Sequence, residues 1–448
     1  MVKINIPFEE IGKLRPRTVA DGACKRFTLG CETLDRDFAD YEQYKEYIPP
    51  LGIKTIRLQG GWAKTEKVQD VYDFSWLDKI IYDAVGRGLN ILLETDYGNP
   101  IYPGGGGIDL AGGIPTSDEA LAAWDKWVAA MAMHYRGTVR DWAMWNEPDV
   151  SKEAWMTVEN IVDFNIRTAK IIRGIIPDAR IAGLSLSNSY FLDLLDGYLA
   201  AIDKRGAMDL FDWIIYHGYE ANPDSSCDRG MHLKKLIERY SNRIRLRQGE
   251  NGCPSEHSEL FALAGYHWSE LSQSKWDLRR YIGDIATGVE SAVFTICDFN
   301  HIGRAINRKG LIMADENHKV IRPKMAYYAI QNMTSVFADS LLPVRGDVAT
   351  LFERQCRTFT FSCADGNLLT YWDRSDIPGD ATDTSLCDII FRNFTFTEPV
   401  LVEMVSGGVF AIPQESIDSQ GEFIVFKGMP VIDSPFVIAD KSLIRFAK

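Results

Sequence analysis

The sequence predicts an α/β fold in which a (β/α)8 barrel, the TIM barrel, precedes a C-terminal β-sandwich. Over the first two thirds of the 448 residues, short β-rich runs alternate with longer amphipathic segments, as in repeated βα units around a parallel sheet. Beyond Tyr327, short alternating strands such as Thr358-Phe-Thr-Phe are separated by turn residues, which is typical of a sandwich. This length also exceeds the usual size of one hydrophobic core, so we expect two domains.

The predicted strands of the first part are mostly continuous apolar runs. Such runs are expected where both faces of a strand are buried between the barrel interior and the surrounding helices. Between the strands, residues 120–135 show helical spacing of apolar side chains, with an N-cap predicted in Thr116-Ser-Asp-Glu. The eight predicted strands cover residues 27–31, 55–59, 90–95, 141–145, 180–186, 213–217, 244–248 and 292–297.

The change of pattern after Tyr327 indicates where the domains divide. We expect the barrel to span residues 27–337 and the sandwich residues 338–448. Residues 1–26 form a separate N-terminal segment, and a strand in Val2-Lys-Ile-Asn-Ile would let this segment pair with the sandwich.

The composition limits the classes of partner. A formal charge of −13 and a pI near 5.1 repel a polyphosphate backbone, so we expect no nucleic-acid partner. No apolar run is long enough to span a bilayer, and the first 17 residues lack a secretory apolar core, which predicts a cytoplasmic protein without a membrane partner. A leader removed earlier would leave no trace, and the protein would then be secreted or periplasmic. The sequence does not predict an oligomeric state.

Two carboxylates follow predicted barrel strands. Active sites of this fold lie at the carboxyl ends of the strands, where Asn146 and Glu147 follow the fourth strand and Glu250 follows the seventh. Cleavage of a glycosidic bond needs one acid on the leaving oxygen and one carboxylate on the opposite face of the sugar. A separation of about 5 to 5.5 Å between the carboxyl groups gives retention, and about 6.5 to 9.5 Å gives inversion. Taken alone, Glu147 is also a plausible helix-starting carboxylate.

The two strand-end motifs carry a family resemblance. Trp145-Asn-Glu-Pro after the fourth strand, together with Gly249-Glu-Asn after the seventh, resembles clan A of the retaining glycoside hydrolases. Val71-Tyr-Asp-Phe-Ser-Trp-Leu-Asp-Lys-Ile and Phe211-Asp-Trp-Ile-Ile-Tyr-His-Gly-Tyr are similar to the β-xylosidase and α-L-iduronidase group, family 39. The resemblance covers residues 27–337, and a C-terminal sandwich is common in that group.

The resemblance implies roles for particular residues. Glu147 would be the general acid/base, Glu250 the nucleophile, and Asn146 a partner of the substrate hydroxyl beside the anomeric centre. Arg57 would orient Glu250, although it could instead be a structural partner of Glu32 or Glu94. His217 and Tyr219, after the sixth strand, would line the pocket near the nucleophile; packing roles for both remain open.

Further substrate contacts are predicted from other strand ends. Trp62, just past the second strand, is the predicted aromatic platform for a sugar, and Asp96 and Tyr97 follow the third strand. Many clan members end the eighth strand with a tryptophan beneath the sugar. This chain reads Ile296-Cys-Asp-Phe-Asn there, so Asp298 or Phe299 would occupy that region.

These observations predict a retaining enzyme that cleaves β-linked oligosaccharides or glycosides. Long segments at residues 97–116 and 218–228 favour a closed pocket and removal of sugars from chain ends. No predicted strand ends in lysine, as a Schiff-base aldolase requires, and His217 stands alone among the strand ends, so we expect neither a metal nor a cofactor. The eight scattered cysteines also lack zinc-site spacing. The alternative is a catalytically inactive carbohydrate-binding barrel.

Overall fold

The computed structural model describes residues 3–301, 305–374, 376–392 and 394–447. After a short N-terminal strand, β1 (Glu10–Leu14), the chain enters a parallel barrel. Each barrel strand overlaps one of the predicted strands. The barrel strands are β2 (Cys24–Gly30), β3 (Ile53–Gln59), β4 (Asn90–Glu94), β5 (Asp141–Ala143), β6 (Arg180–Leu186), β7 (Trp213–Tyr216), β8 (Arg245–Gln248) and β9 (Ser291–Val293).

Neighbouring barrel strands pair in parallel in the order β9-β2-β3-β4-β5-β6-β7-β8. Isolated parallel bridges join Arg247 to Glu290 and Asn251 to Val293, and these bridges connect β8 to β9 and close the barrel. A buried apolar layer fills the interior, formed by Leu92, Ala143, Ala182, Trp213 and Ile215. The predicted α/β barrel fold is therefore confirmed.

Helices follow the barrel strands, as a βα repeat requires. The periodicity of residues 120–135 corresponds to α4, whose N-cap Ser117 accepts a hydrogen bond from the Ala120 amide at 3.1 Å. The helices are α1 (Tyr41–Tyr44), α2 (Trp62–Thr65), α3 (Ser75–Gly86), α4 (Asp118–His134), α5 (Val158–Ile175), α6 (Leu192–Lys204), α7 (Pro223–Glu238), α8 (Glu270–Ala286) and α9 (Met325–Val336). No helix within the described residues is long and apolar enough to cross a membrane.

Short hairpins and an antiparallel region complete the chain. The hairpins are β10 (Phe299–Asn300) with β11 (Ile306–Asn307), and β12 (Ile312–Ala314) with β13 (Val320–Pro323). The later strands are β14 (Leu342–Val344), β15 (Asp347–Leu351), β16 (Cys356–Cys363), β17 (Gly366–Asp373), β18 (Ser385–Arg392), β19 (Pro399–Glu403), β20 (Gly408–Ala411), β21 (Ile417–Gln420), β22 (Phe423–Val431), β23 (Phe436–Asp440) and β24 (Phe446–Ala447).

These later strands form the predicted sandwich. One antiparallel sheet has the order β14-β16-β17-β23-β19-β20-β1-β24 and the other β15-β18-β22-β21. The N-terminal segment joins the first sheet through β1, which pairs with β20 and β24. Of the strand predicted at residues 2–6, Val2 lies outside the described residues and Asn5 forms an isolated bridge to Asp383.

Buried polar contacts attach the sandwich to the barrel helices. The fully buried Lys275 of α8 donates from Nζ to Asp433 Oδ1 at 2.6 Å and to the carbonyl oxygens of Gly379 and Ala381. The proposed domain boundary, between residues 337 and 338, falls between the end of α9 and the start of β14.

Candidate active site

A cavity opens at the carboxyl ends of the barrel strands. Its volume is about 380 Å³. Both glutamates identified from the motifs line it. The lining also includes Glu32, Arg36, Gln59, Tyr97, Leu110, Asn146, Ser187, Asn188, Tyr219, Phe261, Phe294, Phe299, His301, Asn307 and Lys309.

Glu147 and Glu250 approach each other across this cavity. One carboxylate oxygen of each, together with a ring nitrogen of His217, lies within 4.8 Å of the others. Both carboxylates are therefore close enough to contact one bound sugar ring from either side. Glu147 has a positive φ of 45°, a conformation that costs a non-glycine residue free energy.

Glu250 lies among hydrogen-bond donors and positive charges. Arg57 Nη1 donates to Oε2 at 2.8 Å, Tyr219 donates from its hydroxyl to Oε1 at 2.8 Å, and His217 Nδ1 lies 3.8 Å from Oε2. Burial raises the pKa of this carboxyl, but His217, Arg57 and Tyr219 together outweigh burial and leave the pKa below its usual value. Glu250 is therefore ionised at neutral pH.

Glu147 has a different environment. Its Oε1 is hydrogen-bonded to His217 Nδ1, and no arginine contacts its carboxylate within the described residues. Burial raises the pKa of Glu147 by more than His217 lowers it, and the negative charge of Glu250 raises the pKa further. The two carboxyl groups thus have opposite pKa shifts, as an acid and a nucleophile require.

Arg57 is fully buried and joins several strand ends. It pairs with Glu32, with Glu94 through Nη2 at 2.9 Å, and with Glu250, and Nη2 also donates to Asn146 Oδ1 at 2.8 Å. Arg57 therefore contacts both Glu250, the predicted nucleophile, and the structural partners considered from the sequence. Burial raises the pKa of Glu32 to about 8 despite the charge of Arg57, and the charge of Glu250 contributes to the rise.

A hydrogen-bonded chain holds Asn146 and Tyr97 at the cavity. Asn146 Nδ2 donates to the Tyr97 hydroxyl at 2.9 Å, and Gln59 Nε2 donates to the same hydroxyl at 3.2 Å. Since Arg57 fixes the amide oxygen of Asn146, both ends of this side chain are held in place.

Five residues predicted to bind substrate do not line the cavity. Two of them, Arg57 and His217, are fully buried and contact the glutamates instead, so His217 does not form the predicted part of the pocket wall. The other three are Trp62, Asp96 and Asp298. Trp62 is fully buried, stacks on Trp127 and donates to Glu66, because the tryptophans of α4 enclose it; it does not form the predicted platform. Asp96 is fully buried behind Gln59, which donates to its Oδ2 at 3.2 Å. Asp298 is buried in an ion pair with Lys324 at 2.6 Å.

The end of the eighth strand also differs from expectation. β9 ends at Val293; beyond it the amide of Thr295 bonds to Lys309, and that of Ile296 bonds to Gly30 at the end of β2. The aromatic side chain that follows this strand is consequently Phe294, which lines the cavity with Phe299. The apolar run at residues 292–297 predicts a strand end at residue 297, four residues beyond the observed end at Val293.

Sequence reasoning missed several lining residues. Glu32 was considered only as a partner of Arg57, although it follows the first strand closely and the strand-end rule identifies it. Ser187 and Asn188 likewise follow the fifth strand. Phe261 and Lys309 lie far from their strand ends along the chain, and no sequence signal indicated them.

Glu147, His217 and Glu250 also have the spacing of a metal-ligand group. The contacts that these three side chains already make do not favour the binding of a metal cation. Both oxygens of Glu250 already accept hydrogen bonds, and the guanidinium 2.8 Å away opposes a second positive charge.

Comparison with known proteins establishes the fold. The structure of a family 39 glycoside hydrolase from Bacteroides cellulosilyticus WH2 superposes with a TM-score of 0.67 at 16% identity, over 94% of this chain and 81% of that one. A monomeric β-xylosidase from Caulobacter crescentus CB15 gives 0.62 at 14% identity, over 96% and 97%. The catalytic domain of family 30 xylanase C from Talaromyces cellulolyticus gives 0.58 at 11% identity, over 98% and 99%.

Sequence similarity to known proteins covers a much shorter part of the chain than the structural similarity does. No family model matches the chain. Beta-galactosidase BgaA of Clostridium cellulovorans is 33% identical over 61 residues, which make up 13% of this chain and 9% of that protein. The resemblance stated from the motifs is thus confirmed at the level of the fold.

Proposed function

We propose that this chain is a retaining glycoside hydrolase, with Glu147 as the general acid/base and Glu250 as the nucleophile. The supporting observation is the pair of carboxylates within 4.8 Å of each other with pKa shifts in opposite directions. A fold shared with glycoside hydrolases agrees with this proposal, although fold alone does not determine activity.

The proposed reaction has two displacement steps. In the first, Glu147 gives its proton to the glycosidic oxygen while Glu250 attacks the anomeric carbon, so the leaving group departs as an alcohol and a glycosyl ester forms. In the second, the ionised Glu147 takes a proton from water, whose oxygen displaces Glu250 from the anomeric carbon. Two inversions at one carbon retain its configuration.

Other contacts in the cavity would assist both steps. Arg57 and Tyr219 hold the Glu250 carboxylate in the orientation for attack. Asn146, fixed by Arg57, presents its amide group beside Glu147, where it can bond a hydroxyl next to the anomeric centre. Such contacts contribute most when they strengthen in the transition state.

The small size of the cavity favours short substrates cleaved from chain ends, and the β-linkage is carried over from the family resemblance. Its volume of about 380 Å³ is near the lower end of small-molecule sites, about 300 to 1,000 Å³. Leu110, from the segment after β4, and Phe261, from the segment after β8, form parts of its wall. Half of the segment at 218–228 is helical, since α7 begins at Pro223, so that segment contributes less of the wall than the sequence suggested.

A screen of aryl glycosides, with the product anomer followed by NMR, tests the reaction. We expect a β-glycoside to release the β-anomer first, with the α-anomer appearing only as the free sugar mutarotates. First release of the α-anomer would refute the double displacement. Binding of glycosides without any cleavage would indicate the carbohydrate-binding barrel instead, and activity abolished by EDTA would indicate metal chemistry.

Glu147→Gln and Glu250→Gln test the assigned residues. Each change keeps the side-chain size but removes the transferable proton or the nucleophile, so we expect kcat to fall by about 10³-fold or more, on the scale of catalytic-group removal. Both variants should remain folded by circular dichroism; in Glu250→Gln, Arg57 keeps its pairs with Glu32 and Glu94. Glu153→Gln, at an exposed position after β5, is the matched control and should keep full activity. Unaltered hydrolysis by Glu250→Gln would refute the nucleophile.

A further inference from the structure

Lys309 is a buried lysine that lines the cavity. Its side chain belongs to the segment between β11 and β12, and the residue is only 2% exposed. The Lys309 amide donates to Asn307 Oδ1 at 3.3 Å, and its carbonyl oxygen accepts from Thr295 at 3.4 Å and from Gln273 Nε2 at 3.4 Å. The backbone is thereby held against the barrel.

Other buried lysines have full sets of partners. Lys324 Nζ bonds to Asp298, Ser255 and the Arg308 carbonyl oxygen, with the Asp298 contact at 2.6 Å. Lys275 likewise has a carboxylate at 2.6 Å and backbone carbonyl oxygens around its ammonium group. These sets follow the rule that a buried charge is paired and hydrogen-bonded.

The ammonium group of Lys309 lacks comparable ion-pair and hydrogen-bond partners within the described residues. Nζ lies 5.7 Å from the ring centre of Tyr219 and 5.9 Å from that of Phe261. Over the parts of the chain that the structure describes, no carboxylate pairs with Nζ and no acceptor is hydrogen-bonded to it. Burial lowers the pKa of Lys309 to about 8, so the group still carries its proton for most of the time at pH 7.

A buried, unpaired ammonium group is unfavourable unless a ligand supplies the counter-charge. The position of Nζ indicates which part of the ligand this would be. Nζ lies beside the ring of Tyr219, whose hydroxyl bonds to Glu250, and Lys309 lines the same cavity as Glu250. The ammonium group is therefore on the side of the cavity where Glu250 would attack a sugar.

We propose that Lys309 binds an anionic substituent on the sugar attacked by Glu250, a carboxylate or a sulfate ester, so that the preferred substrates are acidic glycosides. This inference rests on the proposed glycosidase function. It adds a class of substrate that the two catalytic glutamates do not specify.

Matched substrates test the preference. p-Nitrophenyl β-D-glucuronide and p-nitrophenyl β-D-glucoside differ only at C6, where one carries a carboxylate and the other a hydroxymethyl group. We expect the wild-type chain to cleave the glucuronide with at least about tenfold higher kcat/KM, since a charge-assisted hydrogen bond is worth that much or more. A preference for the glucoside would overturn the proposal.

Lys309→Met tests the residue. The variant keeps an unbranched side chain without the charge, so kcat/KM for the glucuronide should fall by about 30-fold, while that for the glucoside changes by less than about threefold. Lys309→Arg should recover part of the lost glucuronide activity. Lys126→Met, at an exposed position on α4, is the matched control and should alter neither substrate. Equal losses on both substrates would assign Lys309 a structural role and overturn the proposal.

Binding measurements separate a failure of this inference from a failure of the proposed function. Calorimetry on the intact wild-type chain compares D-glucuronate, D-glucose 6-sulfate and D-glucose, and it requires no turnover. Tighter binding of an acidic sugar, lost in Lys309→Met, would support the inference even if no glycoside were cleaved. If glucuronate binds more tightly than the sulfate, the carboxylate is the preferred anionic group. If the sulfate binds more tightly, the sulfate ester is. Equal binding of all three would refute the inference while leaving a glycosidase of neutral sugars intact.

Discussion

At the residue scale, His217 lies between the two carboxyl groups proposed for catalysis. Its Nδ1 bonds to Glu147 Oε1 and lies 3.8 Å from Glu250 Oε2. Burial lowers the pKa of His217, but Glu250 and Glu147 raise it by more, so the net pKa is raised. In its protonated form the imidazole in turn lowers the pKa of both carboxyls. The pKa values of Glu147 and Glu250 differ because Arg57 and Tyr219 contact the carboxylate of Glu250 and not that of Glu147.

His217→Gln should move the whole pH profile of kcat/KM to higher pH. The acidic limb reports ionisation of Glu250 and the alkaline limb reports loss of the Glu147 proton, and removal of the imidazolium charge raises both pKa values. Glutamine retains a hydrogen-bond donor. Tyr219→Phe is the comparison variant, because it removes a donor from Glu250 alone and should shift only the acidic limb. An alkaline limb unmoved in His217→Gln would contradict this account.

At the scale of elements, the cavity depends on where strands end and on how the following segments are held. The segment between β4 and α4 carries Leu110 to the cavity wall, and Ser117 connects this segment to the helix. Ser117 Oγ accepts from the Ala120 amide at 3.1 Å and donates to the Pro103 carbonyl oxygen at 2.6 Å. One hydroxyl therefore caps α4 and ties down the segment before it.

Ser117→Ala should destabilise the protein by about 1 kcal/mol, the usual cost of an N-cap replaced by alanine. The free energy of unfolding, measured in urea, tests this. Ser117→Asp keeps an acceptor at the cap and places a negative charge at the positive end of the helix dipole, so we expect it to recover most of the loss. An alanine variant as stable as the wild type would show that the cap contributes nothing.

At the scale of the whole molecule, polar contacts join the barrel to the sandwich. Lys275 of α8 pairs with Asp433 and bonds to the carbonyl oxygens of Gly379 and Ala381. Asn332 of α9 donates to the carbonyl oxygen of Met404 at 3.0 Å. Because these groups are buried, separating the sandwich from the barrel would expose unpaired partners on both sides.

Lys275→Met should lower the free energy of unfolding by about 3 kcal/mol or more, since loss of one partner leaves Asp433 as an uncompensated, largely buried charge. Thermal and urea unfolding followed by circular dichroism measure the change. Lys441→Met removes a lysine from an exposed pair with Glu398 and should cost less than about 1 kcal/mol. Similar effects of the two variants would argue against a buried polar attachment.

The sequence by itself determined the order of the βα units, the later change to a sandwich, and the placement of Glu147 and Glu250 at strand ends. These features follow from hydrophobic periodicity and from motifs of a few residues, which are local along the chain. Tertiary structure alone decided that Trp62 and Asp298 are buried, that Phe294 follows the eighth strand, and that Lys309 lies unpaired in the cavity. Burial and pairing are set by contacts between segments distant in sequence, and no local pattern encodes them.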